Sequence, residues 1–485
     1  MTITSSPVIR LIRGRSLRLR ACMKGVWQGR SAAEPVPRLR SGVQSVGNVN
    51  IMNLPTPAGG RLATGYRRNL QDSSGSLRRI LHFPALRIFR PALKLQKAQR
   101  NGTPLRVSVD QCWKEATGSV MLTEKKIEEQ GPLKPTGWLV RISETFAGLT
   151  PQILERLGGA ASSPRLGSEY HVLPAAAVET WRRTEAAPFV RWNLPVHHSW
   201  PCRPPKIENF VERAAQALAK KFAVHQPQTV LAGPLLPVAG TDYYKSLASN
   251  LRGRMLQLFP PLPVKGQEAE SQNPAAPTLF VLVGKEGLFA GMQSPREANG
   301  FYPGGTKFIS QSTPGTISRA GAKIAEALHH LLLHRPALPE ESHWLELGAS
   351  PGGMTAELLA RGYRVTAVDR AWMDPRLDRS RKLDFVHVDA SEFQPPPGAR
   401  YDALLSDMNG GAQHSMTLVL RLSRTLKPGG LVVFTLKLPD AASVPDITDI
   451  AGRVIRQAAT GGLSLISWTH LSYNRQEFTL FLERP

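Results

Sequence analysis

The fold is decided by residues 345–353, which read LELGASPGG in a chain of 485 residues. This stretch follows the predicted strand His343–Leu347 and precedes the predicted helix Met354–Ala360. Glycines at such a turn let the backbone approach a ligand closely where a Cβ atom would clash. The dinucleotide fingerprint G-x-G-x-x-G is missing from the stretch, which disfavours NAD as the ligand.

Helices and strands alternate on both sides of this turn, over residues 317–485. Such alternation predicts an α/β domain with a Rossmann-like, doubly wound and mostly parallel seven-stranded sheet. The last two predicted strands have no helix between them, which predicts one antiparallel strand at the edge of the sheet. Besides the two elements above, the pattern predicts helices Ser318–His334, Gln413–Leu426 and Ile447–Ala459, and strands Arg364–Val368, Phe385–Val388, Ala403–Ser406, Leu431–Leu436, Ser464–Trp468 and Phe478–Leu482.

Acidic residues close the two strands that follow the glycine-rich turn. Asp369 ends the second strand about 20 residues after Gly348, where an acid meets ribose hydroxyls in nucleotide-binding sheets. Asp389 ends the third strand, in a position that suits a hydrogen bond to an adenine amino group. Each acid alone could cap a loop, and the glycines could form only a tight turn. Their recurrence at successive strand ends of one sheet favours a cofactor site.

Two smaller α/β units are predicted before this last domain, which we place at 301–485. One covers residues 130–200 and the other residues 206–300, and the proline-rich stretch Trp200–Pro205 separates them. The first unit is predicted from a strand over 139–142, a helix over 151–157 and a strand over 170–173, and the second from helices over 207–222 and 243–258 and strands over 229–232 and 278–283.

Residues 1–104 read as a disordered basic segment. The first 100 residues hold 19 Lys and Arg but only two acids, Glu34 and Asp72, and they are rich in Arg, Pro, Gly and Ser. Three interpretations stay open: a basic tail that contacts RNA, a transit peptide, or a start codon assigned too far upstream, with Met52 or a later codon as the true start. The first and third are favoured over the transit peptide.

The composition restricts the partners. With 61 Lys and Arg against 37 Asp and Glu, the net charge is +24, which points to a polyanion such as nucleic acid. No apolar run approaches the roughly 18 residues of a membrane-spanning helix, so no membrane partner is expected. The three widely spaced cysteines Cys22, Cys112 and Cys202 disfavour a disulfide framework or a zinc site and suit the cytoplasm, and no metal-ligand cluster is expected.

Five short motifs are spread along the last domain: Ser318–Lys323 (SRAGAK), Leu347–Gly353 (LGASPGG), Ser406–Met408 (SDM), Lys437–Pro439 (KLP) and Arg475–Glu477 (RQE). Together they resemble the FtsJ-like ribose 2′-O-methyltransferases, which depend on S-adenosylmethionine. The stretches Asn299–Pro303 and Leu436–Pro439 resemble in particular the bacterial subfamily that methylates a cytidine ribose in 23S ribosomal RNA of the large subunit. The resemblance is strong over 300–485 and weak over 130–300.

The resemblance implies a cofactor, a partner and a domain order. It implies S-adenosylmethionine as cofactor, 23S ribosomal RNA as partner, a ferredoxin-like unit over 130–200 and a THUMP-like RNA-binding unit over 206–300. Glu346 stands where the family usually has Asp, which keeps the carboxylate. The cofactor-binding residues that it implies are Ser318, Glu346, Gly348, Ser350, Pro351, Gly352, Gly353, Asp369, Asp389 and Asp407.

The family also implies a catalytic tetrad, which falls here on Lys323, Asp407, Lys437 and Glu477. Lys437 is expected nearest the ribose hydroxyl. To act as a base it must be neutral, so its pKa must fall; burial and Lys323 lower it, whereas Asp407 and Glu477 raise it. Whether Lys437 takes the proton or mainly orients the oxygen stays open.

Two other functions compete with catalysis on RNA. A non-catalytic RNA-binding or ribosome-assembly factor could retain the same fold, but all four tetrad positions are filled. A methyltransferase for a small molecule or a protein is disfavoured by the basic composition and by the tetrad. Any one of the four residues alone would read as an ordinary surface or edge-strand charge.

Overall fold

The fold is given by a computed structural model. The chain divides into two units, Met1–Gln130 and Gly131–Pro485. In the first unit, strands β1 (Gly42–Val46) and β2 (Val49–Asn53) pair antiparallel. The rest of residues 1–104, for which disorder was predicted, lies outside the described residues. The structure describes residues 42–46, 49–53, 131–160, 163–177, 180–235, 241–263, 266–305, 307, 309, 315–438 and 441–485.

The second unit begins with a four-stranded antiparallel sheet in the order β4-β5-β3-β6. We call it the ferredoxin-like sheet for its strand order, although the described residues between β5 and β6 form 3-10 turns where a ferredoxin-like unit has its second α-helix. Strand β6 was not predicted, because its buried Arg191 and Asn193 interrupt the apolar pattern. The elements are β3 (Gly137–Ile142), α1 (Thr150–Arg156), β4 (Arg165–Leu166), β5 (Tyr170–Pro174) and β6 (Val190–Val196).

A second four-stranded sheet follows, in the order β7-β10-β9-β8. Strands β8 and β9 are parallel, and the other neighbours are antiparallel. Strand β7 runs into the proline-rich stretch Trp200–Pro205 that was predicted to separate the two units, and it joins this second sheet. The elements are β7 (His198–Pro201), α2 (Phe210–Phe222), β8 (Val230–Pro234), α3 (Thr241–Leu258), β9 (Thr278–Gly284), β10 (Gly287–Gln293) and α4 (Pro295–Ala298).

The last part of the chain forms a seven-stranded sheet in the order β13-β12-β11-β14-β15-β17-β16. The mostly parallel α/β sheet with one antiparallel strand is confirmed. The elements are α5 (Ala320–Leu331), β11 (His343–Leu347), α6 (Gly353–Ala360), β12 (Arg364–Asp369), β13 (Leu383–His387), β14 (Tyr401–Ser406), α7 (Ala412–Ser423), β15 (Leu426–Lys437), α8 (Val444–Thr460), β16 (Ser464–Thr469) and β17 (Glu477–Glu483).

The prediction of an antiparallel strand at the edge was wrong in its placement. Strand β17 lies inside the sheet and pairs antiparallel with both β15 and β16, so β16 is the edge strand. The burial of the two strands gives the physical reason. Nearly all of β17 is buried, whereas β16 is partly exposed along most of its length. None of the helices in the described ranges is long and apolar enough to cross a bilayer.

The ferredoxin-like sheet packs on the seven-stranded sheet through aromatic side chains. The Phe146 ring stacks on the Phe478 ring of β17 at 5.6 Å, and Phe189 meets Phe478 edge-on at 5.3 Å. All three side chains are buried in one hydrophobic cluster that spans both sheets. Strand β17, which begins at the predicted site residue Glu477, is therefore held in place by residues of the ferredoxin-like part of the chain, which we call the upstream unit.

A buried ion pair also joins the ferredoxin-like sheet to helix α5, which precedes the seven-stranded sheet. Arg191 Nη2 of β6 lies 2.9 Å from Glu326 Oε1 of α5, and both side chains are at most 6% exposed. The Glu326 carboxylate also accepts hydrogen bonds from Ser472 Oγ at 2.5 Å and from the Tyr473 backbone at 3.1 Å. Burial lowers the pKa of Arg191 to about 10, which still leaves it charged at neutral pH.

Glu326→Gln should destabilise the protein strongly. The substitution removes the carboxylate that the buried Arg191 cation contacts, and breaking a buried ion pair typically costs about 3–5 kcal/mol. The matched control is Glu144→Gln, since Glu144 pairs with Arg165 on the surface and loss of such a pair costs about 0–1 kcal/mol. Urea unfolding followed by circular dichroism measures both, and equal midpoints for the two variants would contradict the expectation.

Candidate active site

The predicted site residues lie along one edge of the seven-stranded sheet. Strands β11 to β15 run parallel, so their carboxyl ends meet at this edge. Asp369 ends β12, Asp407 follows β14 and Lys437 ends β15. Strand β17 runs the opposite way, so its first residue, Glu477, enters at the same edge and stands directly opposite Lys437 in the ladder.

Four charged side chains close into a ring here. Lys437 Nζ lies 2.8 Å from Asp407 Oδ1 and 2.9 Å from Glu477 Oε2. Lys323 Nζ, from α5, lies 3.4 Å from Asp407 Oδ2 and forms an ion pair with Glu477 Oε1. Each ammonium therefore contacts both carboxylates, and positive and negative charges alternate around the ring. We call this set the charge ring.

The charge ring is mostly shielded from water, since its side chains are between 8% and 20% exposed. Burial lowers the pKa of the Lys437 ammonium. The Asp407 and Glu477 carboxylates raise that pKa by more than burial lowers it, so the pKa lies above its ordinary value. Burial raises the pKa of the Glu477 carboxyl, but hydrogen bonds from Lys323 and Lys437 lower it more, so the net shift is downward. The sequence predicted opposing effects on the pKa of Lys437. The effect of the two carboxylates is stronger than that of burial, so the side chain is an ammonium at neutral pH.

The glycine-rich turn has no room for a side chain at Gly348 or Gly353. Gly348 has φ +78°, and a Cβ atom there would lie 3.0 Å from the Met408 backbone. A Cβ atom on Gly353 would lie within 2.0 Å of the Ser318 hydroxyl oxygen. The turn is thus packed against both the strand end that carries Asp407 and the segment that leads to α5. Pro351 follows a cis peptide bond, and Gly352 caps α6.

Two of the predicted cofactor residues come from the neighbouring strands: Asp369 ends β12 and contacts the turn, and Asp389 lies two residues after β13. The Asp369 carboxylate accepts a hydrogen bond from the Ser350 backbone at Oδ2 (2.9 Å) and from the Ala371 backbone at Oδ1 (2.8 Å). Asp389 Oδ1 accepts from both the backbone and the hydroxyl of Ser391, and Oδ2 takes no hydrogen bond from a described residue. A carboxylate oxygen has two lone pairs, so both acids can still accept hydroxyl or amino donors from a ligand.

Glu346 lies beneath the turn rather than in the open site. Its side chain is 1% exposed and hydrogen-bonds Thr355 Oγ1 of α6 at 2.7 Å. Burial raises the pKa of this carboxyl to about 8, and the nearby Asp407 and Asp369 carboxylates add to the shift. Glu346 is therefore a neutral acid at pH 7. It connects β11 to α6 from below, which positions the glycine-rich turn between them.

Sequence reasoning missed one aromatic pair at this edge. Trp372, three residues after Asp369, is 72% exposed, and its ring lies 3.9 Å from that of His387 at the end of β13. A single tryptophan in the polar, arginine-rich loop 370–381 was the available signal. The sequence does not show that the indole is exposed, because exposure depends on how the loop packs. Within the described part of the chain, no group of His, Cys, Asp and Glu is placed to hold a metal ion.

Comparison with known proteins identifies the last domain. A family model described as "Methyltransferase domain" matches residues 318–480. Ribosomal RNA large subunit methyltransferase M of Aggregatibacter aphrophilus is 28% identical over 171 residues, which are 34% of this chain and 46% of that protein. The same-named protein of Laribacter hongkongensis is 30% identical over 174 residues, 35% of this chain and 48% of that protein. The chain thus spans about half the length of these curated relatives.

A solved structure is also similar to part of the chain. Aeropyrum pernix fibrillarin in complex with S-adenosyl-L-methionine is 22% identical, with a TM-score of 0.26, and the match covers 33% of this chain and 74% of that chain. The resemblance to methyltransferases is confirmed by the family match: residues 318–480 form a methyltransferase domain. The expectation of an S-adenosylmethionine-dependent enzyme agrees with that domain.

The buried acid gives a test by pH. In the unfolded chain Glu346 ionises near its ordinary value of about 4.3, whereas the folded chain holds the proton up to a pKa of about 8. Between these values the folded state keeps a proton that the unfolded state has lost, so the free energy of unfolding falls as pH rises. Glu346→Gln should remove this dependence.

The measurement is the difference in unfolding free energy between wild type and Glu346→Gln from pH 5 to 10. Comparing the two proteins cancels the groups that titrate in both. The difference should change by about 1.4 kcal/mol per pH unit up to about pH 8 and then level off. Parallel profiles across the whole range would show that Glu346 is ionised in the folded protein.

Proposed function

We propose that this protein methylates a ribose 2′-hydroxyl in large-subunit ribosomal RNA, at a cytidine of 23S ribosomal RNA, with S-adenosylmethionine as methyl donor. The charge ring carries this proposal, because it is the set of groups that a ribose 2′-O-methyltransferase requires. The relatives named ribosomal RNA large subunit methyltransferase M support ribosomal RNA as the substrate. The net charge of +24 suits a polyanionic partner.

The carboxyl edge of the sheet fits the proposed cofactor. The glycine-rich turn from Gly348 to Gly353 would pass beside it, Asp369 would accept from its ribose hydroxyls, and Asp389 Oδ2 would accept from its adenine amino group. Ser318 and Glu346 would act by holding that turn, through Gly353 and Thr355. When bound, S-adenosylmethionine supplies a methyl group that the sulfonium charge activates for displacement.

The protein must then hold the hydroxyl oxygen in line and remove its proton. Two of the three bonding positions of Lys437 Nζ are directed to Asp407 and Glu477. The third is left for the substrate oxygen. Lys323 contacts the same two carboxylates from the other side and keeps them from rotating away. As an ammonium, Lys437 donates to the hydroxyl oxygen and orients it. In the small fraction of molecules in which Lys437 has lost a proton to solvent, its lone pair would accept the hydroxyl proton as the oxygen takes the methyl group.

The upstream units would hold the RNA. We assign the ferredoxin-like sheet and the THUMP-like unit over 206–300 to substrate binding, because the methyl-transfer groups all lie in the last domain. Arg141 of β3 and Arg191 of β6 would not contact the RNA, since both are buried in ion pairs, with Glu169 and Glu326 respectively. A direct test is incubation of the protein with a 23S ribosomal RNA transcript and labelled methyl donor, followed by nucleoside mass spectrometry. Detection of 2′-O-methylcytidine is expected, and RNA binding without methyl transfer would favour the assembly-factor alternative.

Lys437→Ala should abolish methyl transfer while cofactor binding persists. The substitution removes the group that holds the hydroxyl oxygen, but it leaves the turn, Asp369 and Asp389 in place. The matched control is Lys427→Ala, because Lys427 pairs with Asp402 at 2.7 Å at the opposite end of the same strand. Methyl incorporation into RNA and calorimetric binding of S-adenosylhomocysteine are the two readouts. Turnover near the wild-type rate in Lys437→Ala would refute the assignment.

The pH dependence of kcat/KM tests whether Lys437 takes the proton. Because its pKa is raised, only a small fraction is neutral at pH 7, and that fraction grows tenfold with each pH unit. The logarithm of kcat/KM should therefore rise with a slope of about 1 between pH 7 and 9. Lys437→Arg keeps the charge but cannot lose its proton, so it should be inactive at every pH. A flat wild-type profile, or an active arginine variant, would assign Lys437 to orientation alone.

A further inference from the structure

An exposed aromatic pair lies beside the proposed cofactor site. The Trp372 side chain is 72% exposed, which is unusual for a residue that is normally buried over most of its surface. One face of its indole is covered by the His387 ring, at 3.9 Å between centroids and 32° between planes. The Phe385 ring lies 6.2 Å away on the same strand. We call Trp372 and His387 the aromatic platform.

The platform is held in place from two sides. Ser350 Oγ, in the glycine-rich turn, donates to the Trp372 carbonyl oxygen at 2.8 Å. His387 Nε2 lies 2.9 Å from the Arg370 carbonyl oxygen, which ties the end of β13 to the same loop. The indole therefore stays exposed while its backbone is fixed. A fixed aromatic ring loses little conformational entropy when a planar ligand stacks on it.

The charge around the platform identifies the kind of ligand. Arg370, Arg379 and Arg381 are exposed, and their guanidinium groups take part in no hydrogen bond or ion pair with the described residues. Arg370 is two residues from Trp372, and the other two precede the edge strand β13. S-adenosylmethionine carries no phosphate, and its single carboxylate cannot occupy three guanidinium groups. A polyphosphate chain with planar bases satisfies both the rings and the guanidinium groups.

We propose that the aromatic platform stacks on a base of single-stranded RNA, with Arg370 contacting an adjacent phosphate. The inference rests on the proposed function, since it takes RNA as the substrate. It adds a contact on the β13 side of the sheet, away from the charge ring. The RNA then crosses the carboxyl edge over the cofactor, from the edge strand β13 to the ring that receives the target ribose.

Trp372→Ala in the full-length protein tests the proposal. The probe is a fluorescein-labelled, unstructured RNA of mixed sequence, and its affinity is read by fluorescence anisotropy. Loss of one stacked base should weaken RNA binding roughly tenfold. Calorimetric binding of S-adenosylhomocysteine should stay within about twofold of wild type. Because the indole is exposed, the melting temperature should not change.

Two variants serve as controls. Trp372→Phe keeps an aromatic face and should retain most of the RNA affinity. Leu465→Ala removes an exposed apolar side chain from the opposite edge strand, β16, and should leave RNA binding unchanged. Unchanged RNA affinity in Trp372→Ala would overturn the proposal. Weakened S-adenosylhomocysteine binding with unchanged RNA affinity would also overturn it, because the indole would then contact the cofactor.

The two proposals can fail separately. If wild type binds RNA through Trp372 but transfers no methyl group to it, the aromatic platform stands and the proposed function fails. If methyl transfer to 23S ribosomal RNA is observed and Trp372→Ala binds RNA as wild type does, the proposed function stands and the platform fails.

Discussion

The candidate site depends on one pairing: Lys437 and Glu477 face each other across an antiparallel ladder. The parallel strands have their carboxyl ends at this edge, so each of them contributes residues from its last position or just after it. Strand β17 runs against them and contributes the residue at which it starts. Because β17 pairs with β15 on one side and β16 on the other, its register is fixed by both neighbours. A shift by one residue would turn Glu477 to the other face and open the charge ring.

Buried ionisable groups at this edge are stabilised in two different ways: by ion pairing and by loss of charge. The charge ring keeps four ionised groups in a half-buried site because each has two partners of opposite charge. Glu346, fully buried and hydrogen-bonded to the hydroxyl and backbone of Thr355, is instead held neutral by burial. An ionised Glu346 would repel Asp369 and Asp407, which both lie near it. Its neutrality therefore avoids a repulsion between Glu346 and these two carboxylates at this edge of the sheet.

Much of this arrangement could be predicted from the sequence, because it follows from local pattern. Alternating helices and strands predict the parallel sheet, and residues that end such strands must share an edge. The position of β17 inside the sheet could not be predicted, because its burial involves distant residues such as Phe146 and Phe189, which pack on Phe478. Strand β6 was missed because tertiary partners satisfy its buried polar residues. The pKa of Lys437 could not be predicted either, because burial and ion pairing oppose each other and only distances decide between them.

Helix α5 links the charge ring to the upstream unit. Lys323 reaches the ring from this helix, and Glu326, one turn further along, is buried against Arg191 of the ferredoxin-like sheet. The methyltransferase match covers residues 318–480, so Glu326 lies within it and Arg191 outside it. A fragment cut at those limits would lose Arg191 and the buried ion pair that holds this face of α5 against the ferredoxin-like sheet. The upstream unit is therefore a structural part of the site, since it holds the helix that places Lys323 against both carboxylates.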